Sequence, residues 1–366
     1  HLIYTDTFYM KRKWIRWVSW ILLTPIILFV ILMVLLYVPP VQNLLRREVT
    51  AYASKATGMQ IQVERIDLRF PLNLLVRGVE VIQQPDTLLS LESLNVRVQA
   101  WPLIKGKVEV DEVTLSRVAV NSADLMEGMK IKGVLGRFFL QSHGVDLSNE
   151  LAVINQVELS DTHMQLLMND TTTTPKDTTA SAPINWKVAL HQLKLKNVSF
   201  SMQLPADSMR MTAHIGEAAI NNAQADLKNQ YYDLKKFLLS GTSASYDTGT
   251  AQPTEGFDAS HIAVRDIRIA LDSLLYKGRD MNAVIREFTM NERSGLSVTA
   301  LTGRAYSNDS VICVPSLKLN TPHSEIDLSA HTYWELVNIP TTGRLSARLN
   351  AYIGKEDVML FAGALP

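Results

Sequence analysis

Apolar and polar positions alternate with different periods along this chain, and its first long run has no polar interruption. From Trp17 to Val38, WVSWILLTPIILFVILMVLLYV carries no charged side chain over 22 residues. At about 1.5 Å per residue such a helix reaches roughly 33 Å, enough to cross a hydrocarbon core of about 30 Å. Lys11, Arg12, Lys13 and Arg16 precede the run, with Trp14, Trp17 and Trp20 at the same end, and Pro39 and Pro40 follow it. Cations and indoles at one rim of an apolar cylinder are what a membrane–water interface favours. The run therefore reads as a retained membrane anchor through Trp17, Trp20, Ile27 and Leu35. A buried core helix is seldom apolar on every face for this length. A cleaved leader has a shorter apolar stretch, about 7–15 residues. The nearest small-x-small site, Ala51-Tyr52-Ala53, lies beyond Arg46 and Arg47. The cation bias predicts a cytoplasmic segment at 10–16 and places everything after Pro40 across the membrane. Residues 1–9 precede Met10 and are set apart as a non-native or upstream segment.

Past the anchor the period becomes helical. Over 39–58, Val41, Leu44, Leu45, Val49, Tyr52 and Ala56 recur at spacings of three and four, predicting a short amphipathic helix. Either it is a plain core helix or it forms a collar where the anchor meets the rest of the chain. From Met59 the period is two, the signature of a strand with one apolar and one wet face. That alternation slips by one residue in a recurrent pattern, apolar-x-apolar-x-x-apolar-x-apolar. It occurs at Ile61–Leu68, Leu89–Val96, Val108–Leu115, Leu193–Phe200, Ile262–Ile269 and Ile312–Leu319. A bulge that absorbs one extra residue restores the apolar face and increases twist. The expectation is an all-β unit over 59–366: an elongated, twisted, open sheet of long bulged antiparallel strands. Irregular spacing of the matches argues against a propeller or short-period solenoid. DTTTTPKDTTASAP, at 170–183, has almost no apolar bulk and is expected to be a mobile loop; Gly249–Gly256 is a second loop. Tyr231–Leu239 fits either a helix or a strand. The apolar stretch before Ala364-Leu365-Pro366 leads us to expect an N-terminal portion of something longer.

Charge is balanced, with 36 basic and 36 acidic residues, which gives no footprint for nucleic acid. A lone cysteine, Cys313, rules out an intramolecular disulfide and sits in an alternating run as a small hydrophobe. No nucleophile elbow, phosphate-cradling glycine loop or metal-ligand spacing is present. His323 and Glu325 read as a surface turn. Glu109, Asp111 and Glu112 read as the wet side of a strand. The expectation is no enzyme, no metal and no cofactor. With aromatics at only 7%, the aliphatic faces suit a sandwich core or an open trough that shields acyl chains at about 0.8 kcal/mol per CH₂. The candidate lipid-lining residues are Ile61, Val63, Leu89, Leu91, Val108, Val110, Leu193, Leu195, Ile262 and Val264.

Several stretches resemble a known family. Arg16-Trp17 through Val38-Pro39-Pro40-Val41-Gln42 is the first, followed by Gly58-Met59-Gln60-Ile61, Arg77-Gly78-Val79 and Trp101-Pro102-Leu103-Ile104-Lys105-Gly106. Together they resemble the N-terminus of the TamB family within the AsmA-like superfamily. Asp258-Ala259-Ser260-His261-Ile262 and Asn291-Glu292-Arg293-Ser294-Gly295-Leu296 look like its Bacteroidota form. The resemblance implies a single-pass inner-membrane protein whose periplasmic part is a β-taco groove. It implies phospholipids as cargo, transport toward the outer membrane, and a role in outer-membrane homeostasis. It also implies, as an alternative, scaffolding or chaperoning of outer-membrane protein assembly with a TamA-like barrel. The family's C-terminal domain, which meets that barrel, has no counterpart in this sequence. No catalytic residues are implied.

Overall fold

The structure, a computed structural model, describes residues 39–104, 109–122, 128–146, 149–168, 185–339, 341 and 343–362. The expected anchor, including Trp17, Trp20, Ile27 and Leu35, lies outside them, as do Val108 and the expected loop at 170–183. Among the described residues no helix is long and apolar enough to cross a membrane.

One helix precedes the strands, α1 (Pro39–Thr57), on the segment where the helical period was read. The first strands are β1 (Gln60–Arg69), β2 (Asn73–Gln83) and β3 (Asp86–Val98), followed by the short helix α2 (Ala100–Ile104). Next come β4 (Val110–Asn121), β5 (Met129–Asp146), β6 (Leu151–Met168), β7 (Lys187–Leu204), β8 (Met209–Asp226) and β9 (Tyr231–Asp247). Then follow β10 (His261–Lys277), β11 (Asp280–Glu292), β12 (Ser297–Val298), β13 (Ala300–Ser307), β14 (Val311–Asn320) and β15 (Glu325–Tyr333). The helix α3 (Trp334–Asn338), β16 (Leu345–Tyr352) and α4 (Lys355–Leu360) complete the order. Tyr231–Leu239 is therefore strand.

All sixteen strands belong to one open sheet, paired in chain order, with β12 branching from β11. Neighbours are antiparallel with one departure from the expectation: β6 and β7 run parallel. β7 therefore starts at the same end of the sheet as β6.

Pairing is interrupted along two lines that cross the strands. On the first, Glu64, Gly78, Glu92, Arg117, Gly136, Asp161, Asn197 and Gly216 each drop out of the ladder beside one another from β1 to β8. The line continues through Gly241 and Asp266. Gly78, Arg117, Asp161, Asn197, Gly241 and Asp266 all have φ between 48° and 58°. This left-handed backbone suits Gly, Asn and Asp and costs roughly 1–2 kcal/mol for other residues. The second line runs through Asp111, Asn155, His191, Asn222, Lys235 and Asp272. In β4 and β6–β10 the two interruptions lie six residues apart, about 20 Å at 3.3 Å per residue. All six phase slips read in the sequence contain an interruption. Four fall on the first line, the slip at Asp111 falls on the second, and the last falls where Pro315 and Ser316 leave the ladder.

The first edge is covered. Helix α1 lies along β1: Gln42 Nε2 donates to the Leu68 carbonyl (3.0 Å), Arg46 Nη1 to that of Glu64 (2.5 Å), and Ile61 N–H donates to Ser54 Oγ (3.0 Å). These are backbone groups that β2 does not use, and covering them removes an exposed edge. The apolar stripe read in the sequence points elsewhere: Leu44, Val49 and Tyr52 are 57%, 51% and 77% exposed. Val41, of the same stripe, is part-buried, and the side chains that bond the sheet edge are polar.

Further along the path, the start of β10 and the turn after β11 are tied together. Arg293 N–H donates to the Ala263 carbonyl (2.9 Å), and Ala263 N–H donates to Glu292 Oε1 (3.3 Å). Asp258 accepts the N–H groups of Thr254 (3.1 Å) and Ser260 (2.9 Å) and contacts His261 Nδ1 at 3.0 Å. The two stretches 258–262 and 291–296 are thus halves of one clasp. Helix α4 joins it through Phe257 N–H donating to the Leu360 carbonyl (2.8 Å) and a tilted Phe257–Phe361 ring pair.

Candidate functional site

Residues directly opposite one another in a ladder share a face of the sheet. One row of such pairs begins at Leu68 and runs through Leu74, Val96, Val113, Leu140, Val157, Leu193 and Ile220. It continues through Phe237, Leu271, Ile285, Gly303, Leu317 and Leu328 to Leu349. This row crosses the entire fifteen-strand path, and Gly303 is its one position without an apolar side chain. At 4.8 Å per strand it is about 67 Å long. Gly303 has no room for a side chain, since a Cβ there would lie 2.4 Å from the Ser316 carbonyl oxygen.

A second row runs parallel to it across eleven strands. It starts with Ile66, Val76, Leu94, Leu115, Phe138 and Leu159. Leu195, Ala218, Leu239, Ile269 and Phe288 complete it. Both rows lie on the strip between the two interrupted lines. Beyond the first line Val63, Val79, Leu91, Val118, Leu135, Thr162, Val198 and Ile215 form a third row.

The candidate lining residues fall on this face. Leu193 and Leu195 belong to the first and second rows, and Val63 and Leu91 to the third. Ile61, Leu89 and Val264 lie on the next row out, with Val81, Val120, Met164 and Phe200. Ile262 lies one row further, in line with Tyr246, Met211 and Met202. Val110 is opposite Val98, past the Asp111 bulge. Missed in the sequence were the members on β2, β5, β6, β8 and β9, where glycine or a polar run hides the slip. The usable signal there was Gly78, Gly136, Gly216 and Gly241 at the interruption itself.

The opposite face is more polar, although Leu75, Phe139 and Leu238 lie on one of its rows. Another row there reads Arg65, Arg77, Ser93, Ser116, Arg137, Ser160, Lys196 and Glu217. Arg117 pairs with Glu92 on the first interrupted line, and Asn197 Nδ2 donates to Asp161 Oδ1 at 2.7 Å.

Among the described residues, no second sheet or long helix covers the apolar face. Among the described residues no large side chain is fully buried, and the buried hydrophobes are few: Leu88, Leu91, Ala152, Ala218, Ala270 and Val298. Apart from Leu91, Ala218 and Thr162, the row members are part-exposed, and Phe200 on the next row out is 43% exposed. A packed two-layer β-domain would bury them.

Groups with chemical potential are dispersed. Among the described residues no cluster of three His, Cys, Asp or Glu side chains is placed to hold a metal. His214 Nδ1 contacts Ser199 Oγ at 2.9 Å on the polar face, with both residues near the surface. His323 is half-exposed and 3.9 Å from Glu356. Glu112 pairs with Arg97 at 3.3 Å, and Asp111 accepts from Gln99. Cys313 is half-buried opposite Tyr306. No family model and no curated protein matches the chain.

Proposed function

We propose that this chain is an inner-membrane-anchored periplasmic bridge whose sheet forms a hydrophobic groove for phospholipids moving toward the outer membrane. It performs no chemical step. The observation that carries the reading is the apolar row from Leu68 to Leu349, continuous across fifteen strands on a face that no second layer covers among the described residues. A face of this length left to water would be costly, since each CH₂ withdrawn from water contributes about 0.8 kcal/mol. Acyl chains supply that cover, and zwitterionic or anionic headgroups stay in the solvent.

The two interrupted lines support a trough as the shape of the groove. Bulges and left-handed residues bend a strand and raise its local twist. Two bends about 20 Å apart turn a ribbon into a floor between two walls, with the apolar rows inside and the Arg65–Glu217 row outside. Because the row is continuous, a lipid moves along it without crossing a polar step.

Photocrosslinkers placed at Leu193, Leu195 and Val110 test this reading, with lipid adducts as the expected result. Val110→Asp and Leu195→Arg should slow lipid transfer in protein shown to fold. Crosslinkers that capture no lipid, or blocked variants that transfer lipid at the original rate, would overturn it. One observation favours a second reading, a scaffold for outer-membrane protein assembly with a TamA-like barrel: β16 pairs only with β15, and all eight of its residues are exposed. Such an edge accepts an added strand. That reading predicts protein adducts at β16 and none of lipid in the rows.

A further inference from the structure

We infer that α1 is an interfacial helix that seats the β1 end of the sheet on the bilayer, so that the apolar face opens directly onto lipid at that end. The inference rests on the reading of Trp17–Val38 as a membrane span, which ends one residue before α1 begins at Pro39. One side of α1 is committed to the sheet through Gln42, Arg46 and Ser54. The other side presents Leu44, Val49 and Tyr52, at 57%, 51% and 77% exposure among the described residues. An apolar stripe with a tyrosine, on a helix bearing Arg46, Arg47 and Lys55 against the single carboxylate Glu48, has the composition of a helix lying in the headgroup boundary.

A second observation, independent of the helix, marks the same end. Phe70, at the tip of the β1–β2 hairpin, is 83% exposed, and Trp101, just after β3, is 69% exposed. Phe70 directly follows β1, and Trp101 lies in α2 directly after β3. They sit near the start of α1, because Gln42 reaches Leu68 two residues before Phe70 and Val98 N–H bonds the Leu72 carbonyl. Arg69 and Arg97 flank Asn73 on adjacent strands beside them, and Arg97 also pairs with Glu112. Exposed aromatics next to arginines are what the interface of an anionic membrane rewards. With α1 and β1 lying along the bilayer, successive strands stack away from it, and the long apolar row points out of the membrane.

The test uses the full chain in vesicles of phosphatidylethanolamine and phosphatidylglycerol with brominated acyl chains. In a Cys313→Ser background, single cysteines replace Tyr52, Phe70 or Asn229 and carry an environment-sensitive fluorophore. Asn229 is an exposed turn residue between β8 and β9 and serves as the distant control. Quenching at Tyr52 and Phe70 should exceed that at Asn229 by at least about threefold, as expected for groups at headgroup depth. The pair Leu44→Glu and Val49→Glu should bring quenching at Phe70 down toward the control. Equal quenching at all three sites overturns the inference, and so does crosslinking of Tyr52 to protein. A chain extracted from vesicles by alkaline carbonate overturns it together with the anchor reading. Lipid adducts at Leu195 without quenching at Tyr52 leave the groove standing and overturn the interfacial seat alone.

Discussion

The two edges of the sheet are treated in opposite ways. On β1, polar side chains of α1 occupy backbone groups that the sheet leaves over, and the apolar residues of the strand are half-buried. On β16 no element covers the outer edge among the described residues, and Leu345, Leu349 and Tyr352 are 59%, 62% and 72% exposed. The helix that protects β1 supplies donors and an acceptor to carbonyls and an amide of the strand through its polar residues. An edge can thus be closed by side-chain hydrogen bonds, while Leu44, Val49 and Tyr52 of the same helix stay exposed.

The most severe way to disturb this contrast is to cut the stack between its edges. Gly216→Val should do so, because a Cβ there would lie 2.7 Å from the Gly241 carbonyl oxygen on the next strand. Overpacking of this kind costs about 1–3 kcal/mol. Hydrogen exchange should show β7–β9 losing protection while α1 and β1 keep theirs. A milder cut acts through the backbone: Asn197 has φ of 53°. Asn197→Val should cost about 1–2 kcal/mol and Asn197→Gly far less, as read by urea denaturation of that region. If both cost the same, the left-handed residue is not what matters at the interruption.

Removing the seal itself tests the comparison directly. Gln42→Ala with Arg46→Ala should cost about 1 kcal/mol per lost bond and bring β1 amide exchange toward the rate of β16. Unchanged β1 protection would mean that the seal is incidental. The clasp that joins β10 and β11 should respond to acid. Hydrogen bonds from the backbone N–H of Thr254 and then of Ser260, aided by His261 and opposed by desolvation, lower the Asp258 pKa from 3.8 to about 2. A carboxylate depressed in the folded state contributes above its unfolded pKa and loses that contribution as pH falls. The amides of Thr254 and Ser260 should therefore lose protection between pH 3.8 and about 2, and Asp258→Asn should remove this transition. The smallest effect is expected at Arg117→Ala. Its pair with Glu92 is 76% and 50% exposed, and such pairs contribute about 0–1 kcal/mol.

Much of the strand architecture was legible in the amino-acid pattern, for a definite reason. A one-residue slip exchanges the faces of a strand, so Val63-Glu64-Arg65-Ile66 or Val264-Arg265-Asp266-Ile267 has to contain an interruption if both halves face the same way. The ladder is interrupted there. What the pattern could not convey is that these interruptions line up from strand to strand, because register is set between strands far apart in the chain. Strands such as β6 and β9 were harder still, since Ser160-Asp161-Thr162 and Ser240-Gly241-Thr242 place polar residues on both sides of the bend. The parallel pairing of β6 with β7 left no local mark, as it depends on the connection and not on either strand. For α1 the periodicity identified the helix but not that Leu44, Val49 and Tyr52 of its apolar stripe stay exposed while polar residues bond the edge.

The pairing order has a consequence for how this molecule comes apart. Each strand along the path bonds only to the strands beside it, so its free energy is a sum of local terms and nearest-neighbour couplings, as in a one-dimensional chain of spins. Such a system has no single unfolding temperature. It melts from whichever end is held least, with the boundary travelling inward until it meets a strong coupling. A defect in the middle divides it into two shorter domains that melt independently. Opening could then be confined to one end of the path while the rest remains intact, a mechanical property that a closed barrel of the same strands would not have.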